Sequence, residues 1–358
     1  MLIINIAGCK QQKQSEEKKE GKENFDINIA TNILETYMGY LKAGDTESAK
    51  KLLSEKVSKK GVNLYNTDLK IFGTKTDEIN EVGRSGMFRV KVARAVSGKP
   101  ISVLDNYSIK VELDKNDYKI TDINVTPEKE AFPEGIGIRL KDKNNARTFL
   151  ILDTSGIPGY TFPKDDSAKI NKAPVPKENY GLAVFNYSGE RMAISTHDKD
   201  SYIGIVKIDE TQASQGGGGG GSSSGGGGGS SSGGGSGVGS NTIAKEPPVG
   251  KDITSMDLIK GAAIEILSFS LEEKHLVAQY KVNGGGTTLR VYDVDSGELT
   301  DFNFQEKYPI DKVDVLFSSF DKDALNYEVK EKTGTGKEQK ELLGKWQLSL
   351  KDYKIKKL

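Results

Sequence analysis

The chain has 358 residues, enough for two ordinary domains, and its 51 basic and 51 acidic side chains cancel. A net charge of zero offers no basic field to hold nucleic acid and no acidic tail. No apolar run reaches the roughly 18 residues of a membrane-spanning helix, and a single cysteine excludes an intramolecular disulfide.

That cysteine is residue 9, at the end of Ile6-Ala7-Gly8-Cys9, and a polar run follows it at once, Lys10-Gln11-Gln12-Lys13-Gln14-Ser15-Glu16-Glu17-Lys18-Lys19-Glu20-Gly21-Lys22. The four residues resemble a lipobox, the signal of bacterial lipoproteins. The resemblance implies cleavage after Gly8, a diacylglyceryl group on Cys9, and a protein held to the outer face of a cell membrane by lipid. The polar run has no apolar side chain to bury, so residues 1–24 read as a signal remnant and a disordered tether. Only eight residues precede the cysteine and none is basic, so translation is expected to start upstream of Met1.

Residues 25–126 form the first expected domain. Asp26 can cap a helix in which Ala30, Ile33, Leu34, Tyr37, Met38 and Leu41 make one apolar stripe, closed by Gly44. Asp45 can cap a second helix, with Ala49, Leu52, Leu53 and Val57 on one face. Alternating strands follow over Phe88–Val92 and Tyr107–Leu113, with a turn at Asp114-Lys115-Asn116-Asp117. In the last strand Tyr118 and Ile120 stand in one phase and Ile123 and Val125 in the other, which predicts a bulge. Helices followed by a bent antiparallel sheet make an α+β domain. The stretch Tyr37–Leu53, with its Leu41-Lys42-Ala43-Gly44-Asp45 link, and the closing Tyr118-Lys119-Ile120-Thr121-Asp122-Ile123 resemble the NTF2-like superfamily. That resemblance implies a sheet curved around a helix, often with a conical pocket. Catalysis there would need an Asp or His in the pocket; the segment has no histidine, and no acidic residue stands on its predicted apolar face.

Pro127–Gly135 is polar and bracketed by prolines, and reads as a connection between domains. Residues 136–358 then carry three similar segments, beginning at Phe185, Phe269 and Phe317, each an aromatic, a polar turn, a strand, a loop and a strand. The second and third begin 48 residues apart. The first and second are 84 apart, or 60 without the 24-residue tract 216–239, which holds 16 of the 41 glycines. Such a period marks propeller blades, and the segments resemble those of TolB-like propellers, in which a Phe-Ser-x-Asp-Gly turn recurs; a β-sandwich or an open repeat is the alternative all-β reading. The length leaves room for about four blades. The Gly/Ser stretch, residues 214–240, is expected to be a flexible insertion within this all-β module rather than a divider.

Sites of chemistry are scarce. Two histidines, His197 and His275, stand in charged turn-like contexts, and no Gly-x-Ser-x-Gly elbow accompanies them. Asp293-Val294-Asp295-Ser296-Gly297-Glu298 has a calcium-like look, but the twelfth position of such a loop is Phe304, so a β-turn is the better reading. Gly336-Lys337 fails as a phosphate loop because Glu331 and Glu338 replace the required glycine and hydroxyl residue. No catalytic residue, metal ligand or cofactor site is therefore expected. The leading expectation is a non-catalytic cell-surface lipoprotein that binds or scaffolds a protein or other component of the envelope. The alternatives are an NTF2-like pocket that binds or transforms a small ligand, and a regulator of an envelope process such as sporulation.

Overall fold

The computed structural model describes residues 25–60, 68–114, 117–143, 145–166, 168–211, 246–332 and 340–358. Gly8, Cys9, the tether and the Gly/Ser tract lie outside the described residues.

Helix α1 spans Ile27–Ala43. The Asp26 carboxylate accepts the Asn28 N–H at 2.8 Å, and Gly44 at φ 73° lets its own N–H reach back to the Leu41 and Tyr40 carbonyls. Ala30, Leu34, Tyr37 and Met38 are buried beneath it. The second expected helix is two: α2, Thr46–Lys51, and α3, Glu55–Lys60. The chain leaves helical geometry between them because Leu53 bridges Ile120 in parallel. The Ile120 N–H donates to Leu52 O and the Ser54 N–H to Ile120 O, each at 2.9 Å. Pairing with a strand replaces the helical hydrogen bonds there.

Six strands follow as one antiparallel meander: β1 Leu69–Val82, β2 Ser85–Val96, β3 Ser102–Asp114, β4 Asp117–Glu134, β5 Gly137–Asp142 and β6 Thr148–Asp153. The expected phase change is a bulge: the pairing of β3 with β4 skips Thr121, between Ile120 opposite Val111 and Asp122 opposite Lys110. The proline-bracketed stretch is a correction to the sequence reading. Residues 127–134 continue β4, with Pro127 opposite Asp105 and Pro133 opposite Ile138, and only Gly135 begins a turn. The first sheet therefore runs on to Asp153.

After a short hairpin of β7 Tyr160–Thr161 and β8 Ala173–Pro174 come three antiparallel sheets. The first contains β9 Asn179–Phe185, β10 Arg191–His197, β11 Ser201–Ile208 and β12 Gly250–Ile259. Strands β11 and β12 flank residues 212–245 and are hydrogen-bonded neighbours in that one sheet. The second holds β13 Ala262–Phe269, β14 His275–Val282 and β15 Thr287–Asp293. After the single turn α4, Phe304–Lys307, the third holds β16 Val313–Asp321, β17 Ala324–Glu331, β18 Gly344–Ser349 and β19 Ile355–Lys357. Three blade-like sheets thus stand among the described residues where length alone suggested about four.

The repeat is real in the first two sheets. Asn186 Oδ1 accepts the Arg191 N–H at 2.9 Å, and Ser270 Oγ accepts the His275 N–H at 3.0 Å, at matching places in the turn. The left-handed position of each turn is Gly189 at φ 72° and Glu273 at φ 58°. The third sheet departs from the expected pattern. Phe317 lies inside β16, at a bulge that leaves Ser318 unpaired, and the chain reverses later, between Asp321 and Ala324.

The first sheet has two covered faces. Phe88, Val90, Val92, Tyr107, Ile109 and Val111 pack beneath α1. On the opposite face Ala93 and Ala95 share a core with Leu182, Val184 and Leu267 of the first two blade-like sheets. Phe72 joins that second core because it is the extra residue of a bulge in β1, between Ile71 and Gly73. Leu104, Ala131, Ile138, Leu140 and Ile151 pack with Phe185, Met192 and Ile194 in a further cluster. Residues 25–125 thus close one core beneath α1 by themselves, while the opposite face of their sheet is shared with the blade-like sheets.

Candidate functional site

The helix and the blade-like sheets do not meet everywhere. A cleft of about 740 Å³ lies between α1, the Gly73–Thr76 segment of β1, and the turns of the second and third sheets. Its size falls within the roughly 300–1,000 Å³ of small-ligand pockets. Leu34, Met38 and Lys42 follow one another at four-residue intervals down the helix face, with Glu35 and Gly39 beside them. Leu271 and Glu272 come from the second sheet, and Phe317, Phe320, Asp321 and Lys322 from the third.

Lys42 is the most constrained of these. It is half-buried; its Nζ donates to the Ser318 carbonyl and sits 4.4 Å from the centroid of the Phe317 ring. The Ser318 bulge presents that carbonyl, and Phe320 leans on Phe317 with ring centroids 5.2 Å apart. Burial lowers the Lys42 pKa from 10.5 to about 8. Among the described residues Lys42 is in no ion pair, and neither are Glu35, Lys75, Glu272 and Lys322. Asp321 accepts only the neutral Gln347 amide, at 2.9 Å. The cleft is thus lined by charges of both signs that do not neutralise one another within the described structure. Its far wall is firm. Glu273 accepts Asn186 Nδ2 at 2.5 Å and the Ser188 N–H at 2.8 Å, which ties the turn carrying Leu271 and Glu272 to the sheet beside it.

One acidic residue contradicts the expectation for the apolar face of the first domain. Asp105, opposite Val92, is fully buried, and burial raises its pKa against the pull of Arg94, whose Nε lies 2.6 Å away. It does not line the cleft. Its partner Arg94 comes from the neighbouring strand, so nothing local in the sequence announced the pair. A second buried pair, Asp257 with Arg290 at 2.6 Å, accepts the Tyr292 hydroxyl and the Lys164 N–H at 2.8 and 2.9 Å, and holds the segment before β8 against the second sheet.

The histidines are not brought together into a site. His197 is exposed at the end of β10, opposite Ser201 and Asn179. His275 opens β14 opposite Asp293, and burial lowers its pKa. Ser195 lies near His197 but its hydroxyl accepts the Leu182 N–H at 2.8 Å. Asp293 accepts the Ser296 N–H at 2.7 Å, with Gly297 at φ 71°, which makes the calcium-like stretch a turn. No cluster of metal-ligating side chains occurs among the described residues, and no helix there is long and apolar enough to cross a membrane.

Lys42 escaped the sequence reading, although a signal existed: it extends the Leu34–Met38 line of the apolar stripe by one more turn. Its wall of Phe317 and Phe320 comes from some 275 residues downstream and had no local signature.

No family model matches the chain, and no curated protein matches its sequence. Among solved structures, a puromycin hydrolase aligns over 79% of this chain and 46% of its own, at 8% identity and a TM-score of 0.31. The chain spans less than half the length of that hydrolase. A β-propeller domain from Myceliophteria thermophila aligns over 69% of this chain and 76% of its own, at 9% identity and a TM-score of 0.25. A putative 6-phosphogluconolactonase from Bacteroides fragilis aligns over 65% and 70%, at 11% identity and a TM-score of 0.25. The likeness is one of β-rich architecture.

Proposed function

We propose that the chain is a lipid-anchored, extracytoplasmic binding protein that holds an envelope component in the cleft beside Lys42, without transforming it. The observation that carries the reading is Lys42 itself. A half-buried ammonium with no carboxylate partner among the described residues costs stability, and such costs are borne where a site needs them. The Ile6-Ala7-Gly8-Cys9 signal and the polar tether behind it support the membrane location.

Two experiments test it. Expressed with a complete signal, the protein enters the detergent phase, and Cys9→Ser releases it; an unchanged membrane fraction removes the anchor from the reading. A photo-crosslinking residue at position 39, in living cells, yields an adduct that Lys42→Met abolishes. Absence of any adduct above that of the same residue placed at Ile170, an exposed position away from the cleft, removes the cleft. A second reading is favoured by the pKa of about 8, which suits a lysine acting as a general base. It requires a turnover that Lys42→Met lowers by at least about 10²-fold.

A further inference from the structure

Resting on that binding reading, we infer that the cleft takes an extended peptide segment of a partner protein, one carrying both acidic and basic side chains, paired through its backbone with β1. Two features of the cleft's walls point to a peptide rather than a compact solute.

The first is its borders. Among the described residues strand β1 pairs only with β2 and β16 only with β17, so each is the edge of its sheet there, and both edges line the cleft. An unpaired edge presents alternating N–H and C=O groups that an extended chain can complete. The outer half of β1 is ill suited to this. It bulges at Asp77, between Thr76 and Glu78, and bulges blunt an edge. Gly73–Thr76 lies between that bulge and the one at Phe72, and is the regular stretch that faces the cleft. Pairing is thereby confined to a short register inside the cleft.

The second is charge. Lys42, Lys75 and Lys322 stand with Glu35, Glu272 and Asp321 around one opening, none in an ion pair within the described structure. A ligand of one sign would meet three like charges. A peptide with side chains of both signs at alternating positions meets opposite charges on both walls, while its apolar side chains can rest on Phe317 and Phe320. Gly39 adds room: a Cβ there would meet nothing within 4 Å, so packing does not require a glycine at this point of the helix.

The test is to pan a linear heptapeptide phage library against the whole chain and to measure the enriched peptides by fluorescence anisotropy. The expected peptides carry both charge signs, weaken at least tenfold against Lys42→Met and against Gly39→Leu, and are unchanged against His197→Ala. Thermal melts of both cleft variants establish that they are folded. N-methylation of alternate backbone amides should weaken binding tenfold in one phase and little in the other, as strand pairing demands. No enrichment over empty support, equal binding to both cleft variants, or equal cost in the two methylation phases would each overturn the inference. So would stronger binding of a synthetic peptide of residues 10–22, which would make the occupant the chain's own tether. If position 39 crosslinks a lipid or a small molecule while panning fails, the binding reading stands and the peptide falls.

Discussion

The N-terminal layer meets the blade-like sheets twice, and the two junctions are built on opposite terms. Behind the first sheet the contact is dry: Phe72, Ala93 and Ala95 interlock with Leu182, Val184 and Leu267. There the Ser268 hydroxyl donates to the Phe72 carbonyl at 2.8 Å, and a Cβ on Gly73 would overlap the Tyr187 hydroxyl. Beside α1, a few residues away, the same bodies stand apart across a cleft whose walls carry charges that form no ion pair among the described residues. Two surfaces that pack to contact on one side could have done so on the other. The dry junction fixes the relative placement of the layers, and the open one uses that placement to present groups from α1, β1, β13–β14 and β16 to a common space. A site assembled from separate elements needs such a rigid seam beside it.

The largest expected effect is at the seam. Phe72→Ala removes a buried ring from a core that both regions share, at a cost of about 3–5 kcal/mol. If the junction is as continuous as its contacts imply, urea unfolding followed by tryptophan fluorescence and by far-ultraviolet dichroism gives coincident curves in the wild type. Both midpoints then fall together in the variant. Residues 25–126 unfolding alone, with the midpoint of the remainder unchanged, would show two domains in mere contact.

The boundary between seam and cleft is the turn of Glu273. Its carboxylate holds Asn186 and Ser188 while its backbone sits at φ 58°, a conformation that favours glycine. Glu273→Ala loses both hydrogen bonds and keeps the strain, for a loss of about 2 kcal/mol. Glu273→Gly loses the bonds and relieves the strain, and should be about 1 kcal/mol less damaging by thermal denaturation. Equal losses would mean that the carboxylate does not hold the turn.

At the cleft the sign reverses. Lys42→Met keeps the aliphatic stem over Phe317 and discards the ammonium, and should raise stability at pH 7 by on the order of 1 kcal/mol, after allowing for the solvent that screens the cleft. The folded pKa, about 8, lies below the unfolded 10.5, so between those values the unfolded chain binds more protons and stability rises with pH. The cost is fully present below pH 8. The advantage of Lys42→Met should therefore be greatest below pH 8 and vanish toward 10.5. A difference that does not change with pH would show that the charge is not what strains the site.

Local patterning made α1, both of its caps, the strands around Phe88 and Tyr107 and the Thr121 bulge legible, because each rests on a period or a turn residue within a few positions. The same logic failed for β1, whose outer half, Thr76–Val82, is wholly exposed and so carries no apolar alternation. It failed again at Pro127 and Pro133, which an edge or bulged position in a long strand accommodates. The helix break at Leu52–Ser54 depends on Ile120, far along the chain, and so does every property of Lys42 that matters. Its carbonyl partner and its aromatic face are supplied by a strand the sequence could not bring near.

The smallest effect bears most directly on why the cleft is open. Gly39 lies in the interior of α1, where glycine costs about 0.5–1 kcal/mol relative to alanine through backbone entropy. Packing gives no reason for it, since an added Cβ meets nothing within 4 Å, in contrast to Gly73 and Gly86, where neighbouring side chains fill the space. Gly39→Ala should therefore raise stability by that amount, seen as a small upward shift in melting temperature, and leave ligand binding nearly intact because one methyl occupies little of about 740 Å³. Gly39→Leu should keep the gain in stability, since leucine is also a good helix former, while its longer side chain enters the cleft and weakens binding. The two variants separate the cost of the glycine from its use. A destabilised Gly39→Ala would mean that the helix needs the glycine for a bend or an approach, and that the space above it is incidental.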